Sequence, residues 1–156
     1  MTTISIDDLR DAVGREVAIS EWLEVSQAVI DEFAEATRDA QWIHVDTERA
    51  SRESPFQNAQ GKRVTVAHGF LTLSLLTFFL ESCLKVTGAR AGVNIGFDRI
   101  RFVGPVPAGS RLRARFTLGR LVDVRGGVQL TWQVAIDRQG EVRPVLIAEW
   151  LTRLVL

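Results

Sequence analysis

Two histidines, the only ones in the chain, each lie in a segment with other chemically useful residues. His44 follows Asp39 by five positions, and His68 directly precedes Gly69 at the start of a long apolar run. Because imidazole is the side chain that most readily exchanges a proton near neutral pH, few other residues are candidates for acid–base chemistry. We expect Asp39 and His44 to converge on one water molecule.

Each of these residues also has an ordinary structural explanation. Asp39 alone is typical of a turn that ends a helix, because its short side chain hydrogen-bonds the nearby backbone. His44 alone is typical of a partly buried ring with satisfied nitrogens. His68 either contacts a substrate or hydrogen-bonds the backbone near the helix start, and the backbone bond is the more frequent role. Residue types alone leave both explanations of the Asp39–His44 pair open.

The bulk properties limit the class of protein. A chain of 156 residues is most economically one domain spanning residues 1–156. Equal numbers of acidic and basic residues, 19 each, argue against nucleic acid or an anionic membrane as the main partner. The first residues lack the features of a signal peptide, so we expect a cytoplasmic protein. The single cysteine, Cys83, excludes an internal disulfide and has apolar neighbours typical of a buried thiol.

The first half of the chain predicts the elements that must position these residues. Alternating apolar residues indicate a strand over Val17–Val25, and Ser26 is a suitable N-cap for a helix over Gln27–Arg38. Asp39 follows where that helix should stop. Residues 40–63 have no regular pattern, and residues 57–63 are polar. Val64–Lys85 is long and apolar without alternation, which favours a buried helix with Phe70 in the core.

The second half of the chain predicts a sheet. Alternating apolar residues indicate four strands, and the last three are joined by short Gly-containing turns that predict antiparallel neighbours. These strands span Val93–Val103, Arg111–Val122, Val128–Asp137 and Val145–Leu156. Together with the early strand and the helices they predict an α+β domain in which a twisted antiparallel sheet wraps one long helix.

Three segments, in this order, resemble the MaoC-like dehydratases, which include the R-specific enoyl-CoA hydratases. They are residues 39–46 (DAQWIHVD), residues 67–70 (AHGF) and residues 98–109 (DRIRFVGPVPAG). The amino-acid sequence of the first segment is most similar to the nodulation protein N-like branch, and the likeness covers roughly residues 15–155. The resemblance implies a single hot-dog fold, in which the sheet wraps a central helix, and implies a homodimer.

The same resemblance implies roles for individual residues. Asp39 and His44 fill the two positions of the hydratase motif, although Gln41 and Trp42 stand where Asn and Pro are usual. The backbone N–H of Gly69 falls on the family's oxyanion donor, so Asp39, His44 and Gly69 are the candidate catalytic residues.

Three further residues are candidates for binding the substrate. Thr77 aligns with a supporting hydroxyl on the helix, and His68 lies beside the oxyanion position. Asn94 either lines the acyl tunnel or bonds a neighbouring loop. The resemblance implies no metal and no redox cofactor.

The activity that the resemblance implies is reversible hydration of trans-2-enoyl thioesters to (R)-3-hydroxyacyl thioesters. The substrate carrier is coenzyme A or acyl carrier protein. Two alternatives remain: a thioesterase on the same fold, and a non-catalytic subunit that binds acyl thioesters. Thioesterases of this fold usually carry an acidic residue on or beside the central helix, where this chain has only Glu81 near the far end. Residues 57–66 form a longer connection than the family pattern and are expected near the site entrance.

Overall fold

The computed structural model describes residues 1–156. It contains six helices and eight strands. The helices are α1 (Ile6–Asp11), α2 (Gln27–Thr37), α3 (Trp42–Val45), α4 (Thr47–Glu53), α5 (Gly69–Ser74) and α6 (Leu76–Cys83). The strands are β1 (Thr2–Ser5), β2 (Glu16–Ile19), β3 (Leu23–Val25), β4 (Leu84–Thr87), β5 (Ala91–Phe102), β6 (Ser110–Val124), β7 (Gly127–Arg138) and β8 (Leu146–Val155).

The main sheet is antiparallel, with the strand order β2-β6-β7-β8-β5 and with β3 also paired to β6. The expected pairing of β6, β7 and β8 as antiparallel neighbours is confirmed. The turn between β6 and β7 consists of Arg125 and Gly126, and Gly126 has φ +78°, a conformation that L side chains rarely adopt. This turn sets the register, and the register directs alternate side chains of β7 into the core.

The predicted helix over Val64–Lys85 is wrong at both ends. Residues 64–68 are not helical, because Val66 forms a bridge with Pro107 and the Ala67 N–H donates to the carbonyl of Val106 at 2.8 Å. The helical part starts at Gly69, is interrupted at Leu75, and ends at Cys83. The next four residues form β4, which pairs in parallel with β1. A continuous apolar run does not by itself distinguish buried extended chain from buried helix.

One face of α5 and α6 packs on the sheet. Leu76 and Phe79 are at most 2% exposed and belong to the same core cluster as Trp132 and Trp150 of the sheet. The opposite face is open, since Phe70 is 68% exposed. The expectation that Phe70 lies in the core is therefore wrong for the isolated chain, and the helix is not buried all round. Helix α6, the strands behind it and these aromatic residues form the framework on which the candidate site lies.

Several local predictions need correction. The strand expected over Val17–Val25 is two strands, β2 and β3, separated at Ser20, whose hydroxyl accepts from the Ala114 N–H at 2.9 Å. Residues 40–63 contain two short helices, and the Asp46 carboxylate caps the second by accepting from the N–H of Arg49. Strand β1 was not predicted. None of the helices has the length and apolar character needed to cross a bilayer.

The extra connection at residues 57–66 is structured. Gln57 and Arg63 form an antiparallel bridge, and the carboxamide oxygen of Asn58 accepts from the N–H groups of Gln60 and Lys62. The tip of this hairpin borders a polar groove with the turns at residues 108–111 and 138–141. The base of the hairpin lies elsewhere: Phe56, which precedes it, lines a cavity together with Gly69. The connection therefore reaches the candidate site through its base.

Candidate active site

Four short segments bring the candidate residues together. Helix α2 begins at Ser26, whose hydroxyl accepts from the Val29 N–H, and ends at Arg38, which has φ +62°. This left-handed residue turns the chain so that Asp39 lies beside the next short helix, α3, which carries His44. Residues 64–68 then run alongside α3, since the Val66 N–H donates to the carbonyl of Ile43 at 3.0 Å. The local backbone thus places both histidines in one site.

His44 is held in one tautomer. Its ring is buried, and Nδ1 lies 2.6 Å from the carbonyl oxygen of Val66. Because a carbonyl only accepts hydrogen bonds, Nδ1 must carry the proton and donate it. In the neutral ring the other nitrogen, Nε2, then carries a lone pair. His44 is therefore arranged to accept a proton at Nε2 from a neighbouring molecule.

His68 is fixed by the backbone of the Asp39 segment. Its Nε2 lies 2.9 Å from the carbonyl oxygen of Asp39, so this nitrogen donates. The ring is 2% exposed, stacks on the His44 ring with centroids 3.7 Å apart, and contacts the ring of Phe33. Its Nδ1 is buried without a hydrogen-bond partner. In this arrangement His68 lies between the Asp39 backbone and the His44 ring and is buried.

Asp39 stands at the solvent side of the histidines. Its side chain is 55% exposed, and its carboxylate Oδ2 lies 4.0 Å from Nε2 of His68. One carboxylate oxygen of Asp39 and one ring nitrogen from each of His44 and His68 all lie within 4.8 Å of one another. The structure therefore brings Asp39 and His44 together, at a separation that one water molecule bridges.

Gly69 follows directly after His68 and is the first residue of α5. No backbone carbonyl accepts a hydrogen bond from its N–H. The ring of Phe102 lies over it, and a Cβ at position 69 would meet three ring atoms of Phe102 at 3.1 to 3.2 Å. Gly69 and Phe102 also line a cavity of about 460 Å³, with Phe56 and Thr72. The residue directly after His68 thus has an amide without a backbone acceptor and lines a cavity.

Thr77 and Asn94 lie elsewhere. Thr77 is eight residues beyond Gly69, roughly 12 Å along the helical segment at 1.5 Å per residue. The Asn94 amide nitrogen is 3.5 Å from the hydroxyl oxygen of Thr77, at the outer limit for a hydrogen bond. Both line a second cavity of about 230 Å³, whose inner wall includes Trp132 and Trp150. The structure therefore groups Thr77 with Asn94 but not with Asp39 and the histidines.

Comparison with known proteins decides the family. The family described as "MaoC like domain" matches residues 8–138. The chain belongs to this family. Its curated relatives include nodulation protein N of Rhizobium leguminosarum bv. viciae, 44% identical over 155 residues that cover 97% of this chain and 92% of that protein. They also include 3-hydroxyacyl-thioester dehydratase Z of Mycobacterium tuberculosis, 40% identical over 152 residues that cover 97% of this chain and 96% of that protein.

A solved structure gives the same answer for the fold. The MaoC-like dehydratase from Rhodospirillum rubrum superposes with a TM-score of 0.70 at 21% identity, covering 96% of this chain and 95% of that chain. The predicted hot-dog fold of the MaoC-like family is confirmed. The predicted enzyme class, a hydro-lyase, is confirmed at the level of the family.

The cluster in this MaoC-like chain superficially resembles a metal site, since Asp39, His44 and His68 are close together. The ring geometry does not suit a metal ion. Imidazole lone pairs lie in the ring plane, and the two rings are stacked with only 25° between their planes. Their lone pairs therefore run nearly side by side instead of meeting at one point, as tetrahedral coordination requires. Three ligands converging on one ion would need at least one ring to turn.

The glycine at position 69 of the MaoC-like chain gives a testable expectation. Changing Gly69→Ala will lower kcat of the hydro-lyase reaction by about tenfold or more. The new Cβ would lie too close to the ring of Phe102, so the ring has to move away from its position over residue 69. The double change with Phe102→Ala removes the clash and should restore most of the activity. Steady-state kinetics of the two single variants and the double variant measure this. Equal activity of Gly69→Ala and the unchanged protein would contradict the expectation.

Three other reactive or charged side chains have partners within the protein. Burial raises the pKa of the Cys83 thiol, whose Sγ–H donates to the carbonyl of Phe79 at 3.0 Å, so a nucleophilic role is disfavoured. Arg113 and Arg115 both contact the carboxylate of Asp137 on the adjacent strand. These two arginines are therefore already paired within the sheet.

Sequence reasoning missed two contributors to the site. The carbonyl of Val66 fixes the His44 tautomer, but a backbone group has no signature in residue type. The ring of Phe102 covers Gly69 although it lies 33 positions further along the chain. Residues 98–109 did form one of the three family motifs, and this was the only available signal that the segment approaches the site.

Proposed function

We propose that this protein catalyses the reversible addition of water to trans-2-enoyl thioesters, giving (R)-3-hydroxyacyl thioesters. The single observation that carries the proposal is the fixed tautomer of His44. Its Nδ1–H is committed to Val66, so Nε2 of the neutral ring is available as a base. One ring nitrogen of His44 lies within 4.8 Å of a carboxylate oxygen of Asp39. The relative named 3-hydroxyacyl-thioester dehydratase Z, 40% identical over nearly the whole chain, supports the same chemistry.

In the proposed reaction, one water molecule lies between Asp39 and His44. The Asp39 carboxylate accepts a hydrogen bond from one O–H of this water and orients its oxygen towards C3 of the enoyl group. Nε2 of His44 takes the other proton while the oxygen forms its bond to C3. The electron pair of the C2–C3 double bond moves towards the thioester carbonyl. The proton gained by His44 then goes to C2, so that one water has been added across the double bond.

The charge that develops on the thioester oxygen needs a donor. The N–H of Gly69 is our candidate, because no backbone carbonyl accepts from it and Gly69 lines the cavity that Phe102 also borders. A fixed donor of this kind is worth more in the transition state than in the ground state, since the oxygen is then more negative. The thioester carbonyl is thereby placed at the start of α5, with C3 towards the histidines.

Two parallel assays on crotonyl-CoA test the proposal. Loss of the enoyl absorbance, with 3-hydroxybutyryl-CoA as product and no free thiol, is the expected result. Chiral analysis of the hydrolysed product should give the R form. Release of thiol with the enoyl group intact would identify a thioesterase instead. Tight binding of the thioester without either signal would identify a non-catalytic subunit.

The carrier of the acyl group is tested in the same way. We propose that the substrate is an acyl thioester of coenzyme A or of an acyl carrier protein, since both present the same phosphopantetheine arm. Matched crotonyl thioesters of the two carriers, compared by kcat/KM, distinguish between them. A carrier-protein preference should weaken as salt is raised if it depends on surface charges, because screening shortens the reach of those charges.

We also propose that two copies of the chain form a dimer. Strand β5 lies at the edge of the sheet and pairs only with β8, so its outer backbone groups are unpaired. Val93 and Ile95 of this strand expose about half of their side chains. An exposed apolar edge strand normally needs a cover, and a second copy that adds its own β5 supplies one.

The dimer predicts a specific effect of charge at the edge. Ile95→Lys should raise the dimer dissociation constant by at least about tenfold, because an unpaired ammonium would be buried at the contact. Val142→Lys is the matched control, since Val142 is fully exposed in a loop between β7 and β8. Analytical ultracentrifugation of both variants measures the effect. If the wild-type protein sediments as a monomer, the proposed dimer is contradicted.

A further inference from the structure

We infer that Gln27 is a positioning residue for His44. Its side chain projects from the first turn of α2, and Nε2 donates to the carbonyl oxygen of His44 at 2.7 Å. The same nitrogen donates to the carboxylate of Asp31 at 2.8 Å, and Oε1 accepts from the hydroxyl of Thr65. One carboxamide thus connects α2 to both segments that hold the His44 ring.

These bonds close a ring of contacts around His44. Gln27 holds the His44 carbonyl on one side and the Thr65 hydroxyl on the other. The residue after Thr65 is Val66, whose carbonyl accepts from Nδ1 of His44. Starting from Gln27, the contacts therefore run through Thr65 and Val66 to the imidazole, and return through the His44 backbone. Removing Gln27 opens this ring at two points.

In this closed set of contacts, Thr65 is anchored to the segment that leads into the sheet. Thr65 is 1% exposed, and its carbonyl accepts from the N–H of Ala108 at 2.9 Å. α3 is only four residues long, and its N-cap Gln41 makes no side-chain capping bond. The short helix that carries His44 therefore depends on contacts from outside itself. Gln27 supplies one of them, from the well-capped end of α2.

The functional consequence follows from the tautomer. His44 presents a lone pair at Nε2 only while Nδ1 donates to Val66, and that bond requires the two segments to keep their relative position. Gln27 links one segment to the other, although it does not touch the imidazole itself. The inference rests on the proposed function for its effect on turnover, because a misplaced base slows the chemical step more than it weakens substrate binding.

The main test is Gln27→Met, which keeps the length of the side chain and removes both hydrogen-bonding groups. We expect kcat for hydration to fall by about tenfold or more, with KM changed by less than about twofold. Thr65→Val should lower kcat in the same way, and Thr65→Ser, which keeps a hydroxyl, should retain most of the activity. The double variant of Gln27→Met and Thr65→Val should lose less than the product of the two single losses, because both break the same ring.

The matched control is Asp31→Ala. It removes the other bond of the Gln27 carboxamide and leaves both contacts to the His44 site in place. We expect this variant to keep kcat within about twofold of the unchanged protein. If Asp31→Ala and Gln27→Met lower kcat equally, and if each loss matches the fall in melting temperature of that variant, Gln27 acts only through stability. The inference is then overturned.

A second readout does not depend on activity. The chain has only two histidines, so a ¹⁵N-histidine-labelled sample gives a spectrum with two rings to assign. In the unchanged protein we expect His44 with its proton on Nδ1 and His68 with its proton on Nε2. In Gln27→Met the His44 signals should shift towards a mixture of tautomers, while those of Asp31→Ala stay in place.

The two readouts separate the possible failures. A changed His44 tautomer in Gln27→Met supports the positioning role even if the unchanged protein proves inactive on enoyl thioesters, in which case the proposed function alone fails. An unchanged tautomer together with an unchanged kcat overturns the positioning role. If Gln27→Met does not fold, the Thr65→Val and Thr65→Ser pair decides the question in the same two measurements.

Discussion

Changing His44→Asn will lower kcat for crotonyl-CoA hydration by about 10²- to 10⁴-fold, the usual contribution of a positioned general base. The asparagine amide nitrogen occupies nearly the place of Nδ1, so the bond to the Val66 carbonyl is retained. What the variant lacks is Nε2, the nitrogen that we assign to the water. The loss should appear in kcat with little change in KM, because the base acts in the transition state.

The structural control for this variant is its melting temperature. The His44 ring is buried and stacks on His68, so His44→Ala would also remove packing and confuse the interpretation. His44→Asn keeps part of that volume and one hydrogen bond. A folded His44→Asn protein with more than a tenth of the original kcat would show that His44 is not the base. If the variant loses activity because it unfolds, the state of His44 is measured instead from the ¹⁵N-histidine spectrum of the wild-type protein.

The second large effect is expected for Asp39→Asn, with kcat lower by on the order of 10²-fold. The substitution keeps the shape of the side chain and leaves the backbone carbonyl that accepts from His68. The negative charge and one acceptor are lost at the position that orients the water. Because the Asp39 side chain is 55% exposed, the change should alter the fold very little.

Asp11→Asn is a suitable control for the loss of charge. Asp11 is exposed at the end of α1, where its backbone carbonyl accepts from Arg15. It should keep full activity. If Asp39→Asn retains activity within a few-fold of Asp11→Asn, the carboxylate is not part of the reaction. The proposed mechanism would then lose its water-orienting group, and His44 would act alone.

The roles of the two histidines differ in a way that residue type did not reveal. Both are imidazoles in buried positions, but Nδ1 of His44 donates to the backbone of Val66, whereas in His68 it is Nε2 that donates and Nδ1 is buried without a partner. His68 donates its Nε2 proton to the backbone of Asp39 and lies flat against the His44 ring. In the proposed mechanism His44 carries out the acid–base chemistry and His68 positions the Asp39 segment. The predicted contact of His68 with substrate stays a prediction.

Much of the fold could be predicted from local patterns. The strands β6, β7 and β8 alternate because one face of the sheet is buried, and short turns leave antiparallel pairing as their simplest arrangement. Helix α2 was predicted within one residue because Ser26 is a capping residue and the apolar stripe is periodic. The long apolar run could not be divided correctly, since bridging of Val66 to Pro107 depends on a segment 41 positions further along the chain.

The sequence by itself determined the chemical candidates. With two histidines in the chain and an aspartate five residues before one of them, Asp39 and His44 were the natural acid–base pair, and three ordered motifs indicated the family. The spacing suffices here because the end of α2 and the short turn of α3 are local structures. Residues so close in sequence have little freedom to separate.

Only the tertiary structure decided which nitrogen of His44 is free, what covers Gly69, and what holds the site together. Each answer depends on a contact between distant segments: Val66 with His44, Phe102 with Gly69, and Gln27 with Thr65. Two of these three contacts use groups without a residue-type signature, a backbone carbonyl and an ordinary glutamine. Their positions follow from the packing of the whole chain, which is why the sequence indicated the reactive pair but not the framework that orients it.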